Sequence, residues 1–424
     1  MSEYEECKEK VLDVIDSLSA DIIGVSRKIH EFSEYGTMEY KSSGLLISKL
    51  RQHGFEIGTP EVEPGMERWK EGLRTAIKAT YRGESERPTV GINAEYDALP
   101  QGHGCGHNII AATALGASIG VSKVVPSLHG SLVFLGSPAE EAYVDNATTK
   151  PVMLCEYRKL DACTYVHPGT EWKINVNPIY DKYNMYSDSW KFVFKGTVGH
   201  GSDEMSISNA QRAAILTMIA IDGLHIVPYC DHVITGRGLV DFRDHEPYYF
   251  SKGGSVDTCE IGIHVGQPTK EAKERVLERV KNCASCAALA TDTVVEFIQY
   301  APDCEAEITN VPLARAFKEC FEELNVKIEE ATPSMSPGST DFGNVSRVTP
   351  STSATIKMGE GFGLHTLEAV KAAASDEGDR AVIVGAKAMA LLALKLFTDP
   401  RLVESARSDF THYRPPPLTR PMMM

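Results

Sequence analysis

Residues 95–108 read Glu95-Tyr-Asp97-Ala-Leu-Pro100-Gln-Gly-His103-Gly-Cys105-Gly-His107-Asn108. The run Val90–Ala94 before them is short and apolar, as in a buried strand, and Ile109–Val121 after them reads as a helix. A loop that closes a strand and opens a helix is where open α/β sheets place ligands, outside the carboxyl ends of the strands. Glycines around Cys105 and His107 let the backbone bend so that thiolate and imidazole converge on one ion. Taken alone, the pair is better read as a small buried thiol and a polar helix start, because two potential ligands make no site.

The same strand-then-loop pattern recurs along the chain. Ser131–Leu135 reads as a strand and leads through Gly136-Ser-Pro-Ala to Glu140-Glu141. Paired carboxylates at a strand end suit hydrolytic metal chemistry, one binding the ion while its neighbour handles the proton. Ala162–Val166 ends in His167-Pro-Gly, and glycine-rich Gly361-Phe-Gly-Leu-His365-Thr366 stands just before a helix. Each is weak singly; four such segments at loop positions of one α/β domain point to a metal site. A helix over 8–31, a second over Ser42–His53 stopped by Gly54, and a strand at Thr75–Thr80 complete a mixed sheet flanked by helices.

After Pro178 the pattern changes. Trp190, Phe192 and Phe194 alternate with polar neighbours, as in a half-buried strand. A helix over Ile207–Leu224, strands at His232–Phe242 and Asp257–Val265, a charged helix Lys270–Ala290 and a strand Thr293–Tyr300 follow. The order β-α-β-β-α-β is that of a ferredoxin-like unit. The expected organisation is a discontinuous α/β domain, residues 1–186 and 306–424, interrupted by an inserted small domain, residues 187–305. Two helices, near Thr366–Ala374 and Asp379–Phe397, are expected to end the fold, with a flexible tail from Thr411.

Composition narrows the function. Lys and Arg number 43 against 58 Asp and Glu, a net charge of −15 in 424 residues, which disfavours a nucleic-acid partner. Hydrophobic residues at 42% and charged residues at 24% are ordinary for a globular protein. The acidic start, without an apolar leader, and ten scattered cysteines lead to the expectation of a cytoplasmic protein with reduced thiols. No membrane association is expected, since Lys387 and Lys395 interrupt Ala381–Phe397, the most apolar stretch.

Over nearly its whole length the chain resembles the aminoacylase-type metallopeptidases, in the branch of the hippurate and indole-acetyl-amino-acid hydrolases. The shared motifs are His30-Glu-Phe-Ser-Glu34-Tyr-Gly-Thr-Met-Glu39, Asp97-Ala-Leu-Pro, Cys105-Gly-His107, Glu140-Glu141, His167-Pro, Ser339-Thr-Asp341-Phe and His365-Thr366. The resemblance implies that Cys105, His107, Glu141, His167 and His365 bind one or two divalent ions, zinc or manganese, with cobalt a further option. It implies that the discontinuous domain, residues 1–186 and 306–424, is catalytic and that the inserted one, residues 187–305, is a lid and dimerisation domain. It implies Asp97 as a support for the ligands and Glu140 as the general base. It implies His200, in Lys195-Gly-Thr-Val-Gly-His200, as the lid residue that stabilises the oxyanion, and a homodimer or higher even homo-oligomer.

The departures from the family pattern bear on the substrate. Where relatives carry a glycine run, this chain has Ala142-Tyr143-Val144-Asp145-Asn146, so Tyr143 and Asp145 are expected to shape the pocket. Arg237, in the lid, is a candidate for a two-pronged pair with a substrate carboxylate. The expected activity is hydrolysis of a C–N bond in a small carboxylated molecule, first of all an N-acyl amino acid or dipeptide-like amide. The alternatives are an aromatic aminohydrolase that releases ammonia from an aryl amine such as 5-nitroanthranilate, and a metal-binding scaffold without catalysis. Glu140 and all five ligand positions are present, which weighs against the last.

Overall fold

The computed structural model describes residues 3–412 except 86, 126–128, 142–144, 178–184, 198–207, 225–238, 244–256 and 332–337. The helices are α1 Glu3–Ser17, α2 Ser19–Phe32, α3 Tyr40–Gln52, α4 His107–Ser122, α5 Leu154–Tyr157, α6 Ala210–Asp222, α7 Lys270–Ala290, α8 Val311–Glu323, α9 Phe342–Ser346, α10 Leu367–Ala372, α11 Asp376–Thr398 and α12 Pro400–His412. The strands are β1 Glu56–Gly58, β2 Ile77–Arg82, β3 Thr89–Ala94, β4 Ser131–Gly136, β5 Ala162–Gly169, β6 Lys173–Ile174, β7 Tyr186–Lys195, β8 Leu239–Arg243, β9 Thr258–Gln267, β10 Val294–Gln299, β11 Glu329–Glu330 and β12 Ser351–Lys357.

The chain divides into two compact units. Of the described residues, those within 3–177, 307–331 and 341–412 form one, and those within 185–306 and 338–340 form the other. The first is built on an eight-stranded mixed sheet in the order β1-β2-β4-β3-β5-β12-β6-β11. Its centre, β4, β3, β5 and β12, is parallel, with Val90 beside both Leu132 and Ala162 and with Thr355 beside His167. Parallel strands demand crossovers and cover on both faces, and β4 is accordingly buried at every position.

Helices α4 and α11 supply much of that cover. Every residue of α4 is buried, and its first turn begins at His107, so the loop before it is anchored to a wholly buried helix. Gly116 allows the close approach: a Cβ there would stand 3.0 Å from Ile22 and 3.1 Å from Ala386. Each fully buried Leu or Ile of this core contributes on the order of 1.5–3 kcal/mol relative to exposure. Among the described residues α11 is the one helix long and apolar enough to cross a membrane, but Ala388, Leu391, Leu392 and Leu394 on it are buried in this core.

Two expectations need correction. The helix read over 8–31 is two helices, broken at Leu18, where the Val14 carbonyl accepts from both the Ser17 hydroxyl at 2.8 Å and the Leu18 N–H at 3.1 Å, a local side-chain bond of the kind that bends helices. The fold also does not end at Phe397, because α12 follows from Pro400 and places Thr411 in its last turn; proline is tolerated in a first turn, where its missing N–H is not needed.

The second unit holds a four-stranded antiparallel sheet in the order β10-β7-β9-β8, with α6 and α7 on it. This is the ferredoxin-like arrangement. The alternation of Trp190, Phe192 and Phe194 is that of β7, in which Phe192 and Phe194 face a core with Ile261, Ile263 and Val280. The part of the His232–Phe242 strand before Leu239 lies outside the described residues, as does the tail beyond His412.

Candidate metal centre

The site is assembled in the first unit at the carboxyl ends of β3, β4 and β5, with one further loop from the C-terminal part of the chain. Gly106 turns the chain into α4 with φ 75°, and a Cβ there would meet Pro168 at 2.8 Å. That turn aims Cys105 and His107 to one side. Asp97, just past β3, accepts from His107 Nδ1 at 2.8 Å and from the Glu141 backbone N–H at 2.9 Å, so one carboxylate fixes two neighbours. His167 Nδ1 lies 2.8 Å from the Pro168 carbonyl, which leaves Nε2 to face Cys105 Sγ at 3.4 Å. His365 Nε2 approaches the same sulfur at 3.4 Å and Glu141 Oε1 at 3.3 Å.

These groups form three overlapping sets whose potential ligand atoms lie within 4.8 Å of one another: Cys105, His107 and His167; Cys105, Glu141 and His365; and Glu95, His107 and Glu140. Thiol, imidazole and carboxylate donors fit a borderline-soft divalent ion. His107 Nε2 supplies the fit test, since it is fully buried and has no hydrogen-bond partner while Nδ1 is oriented by Asp97. That is the carboxylate–histidine pairing by which ligand imidazoles are held. The side chain of His365 is 45% exposed while His107 and Asp97 have no exposed side-chain surface, so the centre opens to solvent on the His365 side.

Backbone strain gathers here. His365 has φ 65°, held by its N–H to the Gly104 carbonyl at 2.9 Å. Ala139, immediately before the acid pair, has φ 52°, and Asn146 and Thr148 in the same loop are also left-handed. Each such residue costs of order 1–3 kcal/mol and persists only where its surroundings enforce it. At Ala139 the enforcing group is Glu39, buried, which accepts from the Ala139 N–H at 2.8 Å and from the Thr75 hydroxyl at 2.6 Å. Burial and the nearby Asp97 charge push the Glu39 carboxyl up to about 8. Glu34, in the same early motif, instead accepts the Lys41 and Ser42 N–H groups and so caps α3.

The electrostatics separate the two adjacent glutamates. Burial, then the charges of Glu95 and Glu141, raise Glu140 well above the ordinary carboxyl range. Burial also acts against Glu141, but His365 overrides it and holds that carboxyl low. Burial raises the Cys105 thiol and lowers His167, while His107 is held high because Asp97 and Cys105 outweigh its burial. The result is a proton-accepting position beside an ionised one, with a thiol that gives up its proton on binding a metal.

Of the residues singled out in the sequence, Cys105, His107, Glu141, His167 and His365 converge, with Asp97 behind them and Glu140 Oε2 3.9 Å from His107 Nε2. Asp145 is exposed and belongs to none of the three ligand sets among the described residues. Tyr143, His200 and Arg237 lie outside the described residues. His103 is buried, with Nε2 3.0 Å from the Ile29 carbonyl, and burial pushes it down to about 3, so it is a neutral packing residue. Sequence reasoning missed Glu95, which stands two residues before Asp97 and thus on the same side of the strand end, and Lys150. Lys150 Nζ is 2.7 Å from Glu95 Oε1 and also contacts Asp341 Oδ1, all three side chains being fully buried. Burial works against the Lys150 charge, but Asp341 and Glu95 hold the ammonium well above its usual range.

Comparison with known proteins supplies an independent line. Residues 91–395 match the model of peptidase family M20/M25/M40. The Xaa-Arg dipeptidase of Homo sapiens is 28% identical over 433 residues, covering 96% of this chain and 93% of the relative. The fold is also that of an aminobenzoyl-glutamate utilization protein from Klebsiella pneumoniae, with a TM-score of 0.67, 15% identity and 90% and 97% coverage of the two chains. A Bacillus subtilis protein described as a dinuclear metal-binding peptidase of the M20 family matches with a TM-score of 0.58 and 19% identity, covering 90% and 99%.

Proposed function

Because this chain belongs to peptidase family M20/M25/M40 and is thus a metal-dependent hydrolase of C–N bonds, we propose that it hydrolyses the amide bond of a dipeptide or N-acyl amino acid, with Glu140 as general base. The observation that carries the reading is the convergence of Cys105, His107, Glu141, His167 and His365 beside a largely buried, raised Glu140. Full-length similarity to a dipeptidase supports the substrate class.

A bound divalent ion supplies a Lewis acid and lowers the pKa of water toward about 7. Cys105, His107, His167, Glu141 and His365 would hold it, and the mixed donor set suits zinc or manganese, with one or two ions per subunit. Asp97 keeps the His107 proton on Nδ1 and so keeps Nε2 free for the ion. Glu140 takes the proton of the attacking water and passes it to the leaving nitrogen; a carboxyl raised by burial and like charges suits both halves of that task. His200 is proposed to stabilise the developing oxyanion, and Arg237, Tyr143 and Asp145 to contact the substrate.

We also propose a cytoplasmic, even-numbered homo-oligomer. The edge strand β10 exposes Val294 and Ile298, and α6 exposes Ile215 and Ile219, apolar surface suited to a second copy. Product analysis tests the activity. Zinc- or manganese-reconstituted protein is assayed against dipeptides, N-acyl amino acids and carboxylated aromatic amines. Release of a free amino acid is the expected result. Ammonia with a phenolic product overturns the amide reading in favour of an aromatic aminohydrolase.

A further inference from the structure

Lys150 is a cation with no exposed side-chain surface, enclosed by two carboxylates. Its Nζ is 2.7 Å from Glu95 Oε1 and in contact with Asp341 Oδ1, and its backbone N–H donates to Asp341 Oδ2 at 3.0 Å. Asp341 comes from the Ser339-Thr-Asp341-Phe motif, which supplies no group to the ligand sets. A dry ion triad is a poor way to hold a loop together, since well-packed apolar residues often do as well or better.

The other oxygen of Glu95 suggests what the triad is for. Both Glu95 oxygens are buried without a hydrogen-bond donor, but Oε1 is held in the ion pair with Lys150, whereas Oε2 lies 3.6 Å from His107 Nε2, itself without a partner. Glu95, His107 and Glu140 bring their ligand atoms within 4.8 Å of one another, so Glu95 is within reach of an ion held by His107. Hydrolytic metal centres keep a coordination position open, and a carboxylate oxygen at this distance is a group able to close it. The loop that begins with the acid pair ends with Lys150, so a single segment places both the proton acceptor and the cation that restrains its neighbour.

We propose that Lys150 is a positioning residue: by holding Glu95 through Oε1, it keeps this carboxylate out of the ion's ligand shell and keeps a position open beside Glu140. The inference rests on the metal-hydrolase reading. Asp341 fixes Lys150 at both Nζ and the backbone N–H, so the clamp is set before an ion arrives.

The test measures metal binding rather than turnover. Zn²⁺ affinity is determined on metal-free full-length protein by competition with a chelator. Solvent-proton relaxation by bound Mn²⁺ reports whether exchangeable water reaches the ion. In the double variant Lys150→Met/Asp341→Asn the cation and one of its carboxylates are removed together, which leaves the triad's net charge unchanged and Glu95 free to turn. The expected result is Zn²⁺ binding at least tenfold tighter and a fall in relaxivity, both reversed by adding Glu95→Gln. Glu95→Gln alone, which preserves the side-chain shape, is expected to change Zn²⁺ affinity less than threefold. A larger loss shows that Glu95 is already a ligand and overturns the proposal. So does a double variant with unchanged affinity and relaxivity, which reduces the triad to a structural tie. If the double variant fails to fold, Glu95→Gln alone decides. Wild-type protein that binds neither ion refutes the metal-hydrolase reading itself, a result distinct from any difference between variants.

Discussion

The substitution Asp97→Asn isolates one atom of the site. In the structure both Asp97 oxygens accept hydrogen bonds, one from His107 Nδ1 at 2.8 Å and one from the Glu141 N–H at 2.9 Å. An asparagine has a single acceptor. If its oxygen stays on His107, its NH₂ faces the Glu141 N–H, donor against donor, and the backbone that carries a ligand is displaced. If the amide flips, NH₂ faces Nδ1, the ring proton moves to Nε2, and the nitrogen required by the ion is blocked. Loss of such an orienting carboxylate costs 10- to 100-fold in metal affinity, about 1.4–2.7 kcal/mol. The same loss is expected here with folding intact, because the side chain keeps its volume. Competition between the protein and a chromogenic chelator for Zn²⁺ measures the affinity, and circular dichroism checks the fold. An Asp97→Asn protein that binds Zn²⁺ as tightly as the parent and turns over at the parent rate would refute the assignment of Asp97 as the group that orients His107.

Other outcomes follow from the same geometry. Glu140→Gln should lower kcat by about 10²- to 10⁴-fold while Zn²⁺ affinity holds; unchanged turnover in steady-state assays removes Glu140 from the mechanism. Gly106→Ala must place a side chain at φ 75° and 2.8 Å from Pro168, so both the melting temperature and Zn²⁺ affinity should fall; a melting curve and a titration equal to the parent's contradict the close approach. Removing bound metal should lower the melting temperature, since an ion at 100 times its Kd stabilises by about 2.7 kcal/mol; a chelator that leaves the melt unmoved excludes a tightly bound ion. In the second unit, burial and Asp303 raise the Asp188 carboxyl from 3.8 to about 7. The folded state then holds a proton that the unfolded state releases, so this group's contribution is full below pH 3.8 and is lost as pH rises through 7. Asp188→Asn should flatten that part of the stability profile between pH 4 and 8, and parallel melting curves for parent and variant would contradict it.

The ligand loops were legible because chemistry and punctuation coincide in them: a strand ends, glycines bend the backbone, and Cys105, His107 or His167 follows. The order of strands and helices around β7 to β10 was legible from alternation at Trp190, Phe192 and Phe194. Lys150 was not, since a lysine in Thr-Thr-Lys-Pro reads as exposed, and only the tertiary meeting with Glu95 and Asp341 makes it buried. Glu39 was visible as part of a motif, but its work at Ala139 spans 100 residues of sequence and leaves no local pattern. The break at Leu18, where the Val14 carbonyl is shared by the Ser17 hydroxyl and the Leu18 N–H, leaves the apolar periodicity unchanged and so does not register in it. Helix α12 starts at Pro400, a residue that closes one helix as readily as it opens the next.

The Glu39 brace also bears on how this site can be moved. All five proposed ligands fall within residues 91–395, the part that matches the family model, while Glu39 and its partner Thr75 fall before it. A transplant of the ligand-bearing segment alone would carry the donors without the strut that holds Ala139 in its left-handed turn. Any minimal scaffold that aims to reproduce this centre therefore has to import the stretch from His30 to Ser42, or invent another carboxylate to stand where Glu39 does.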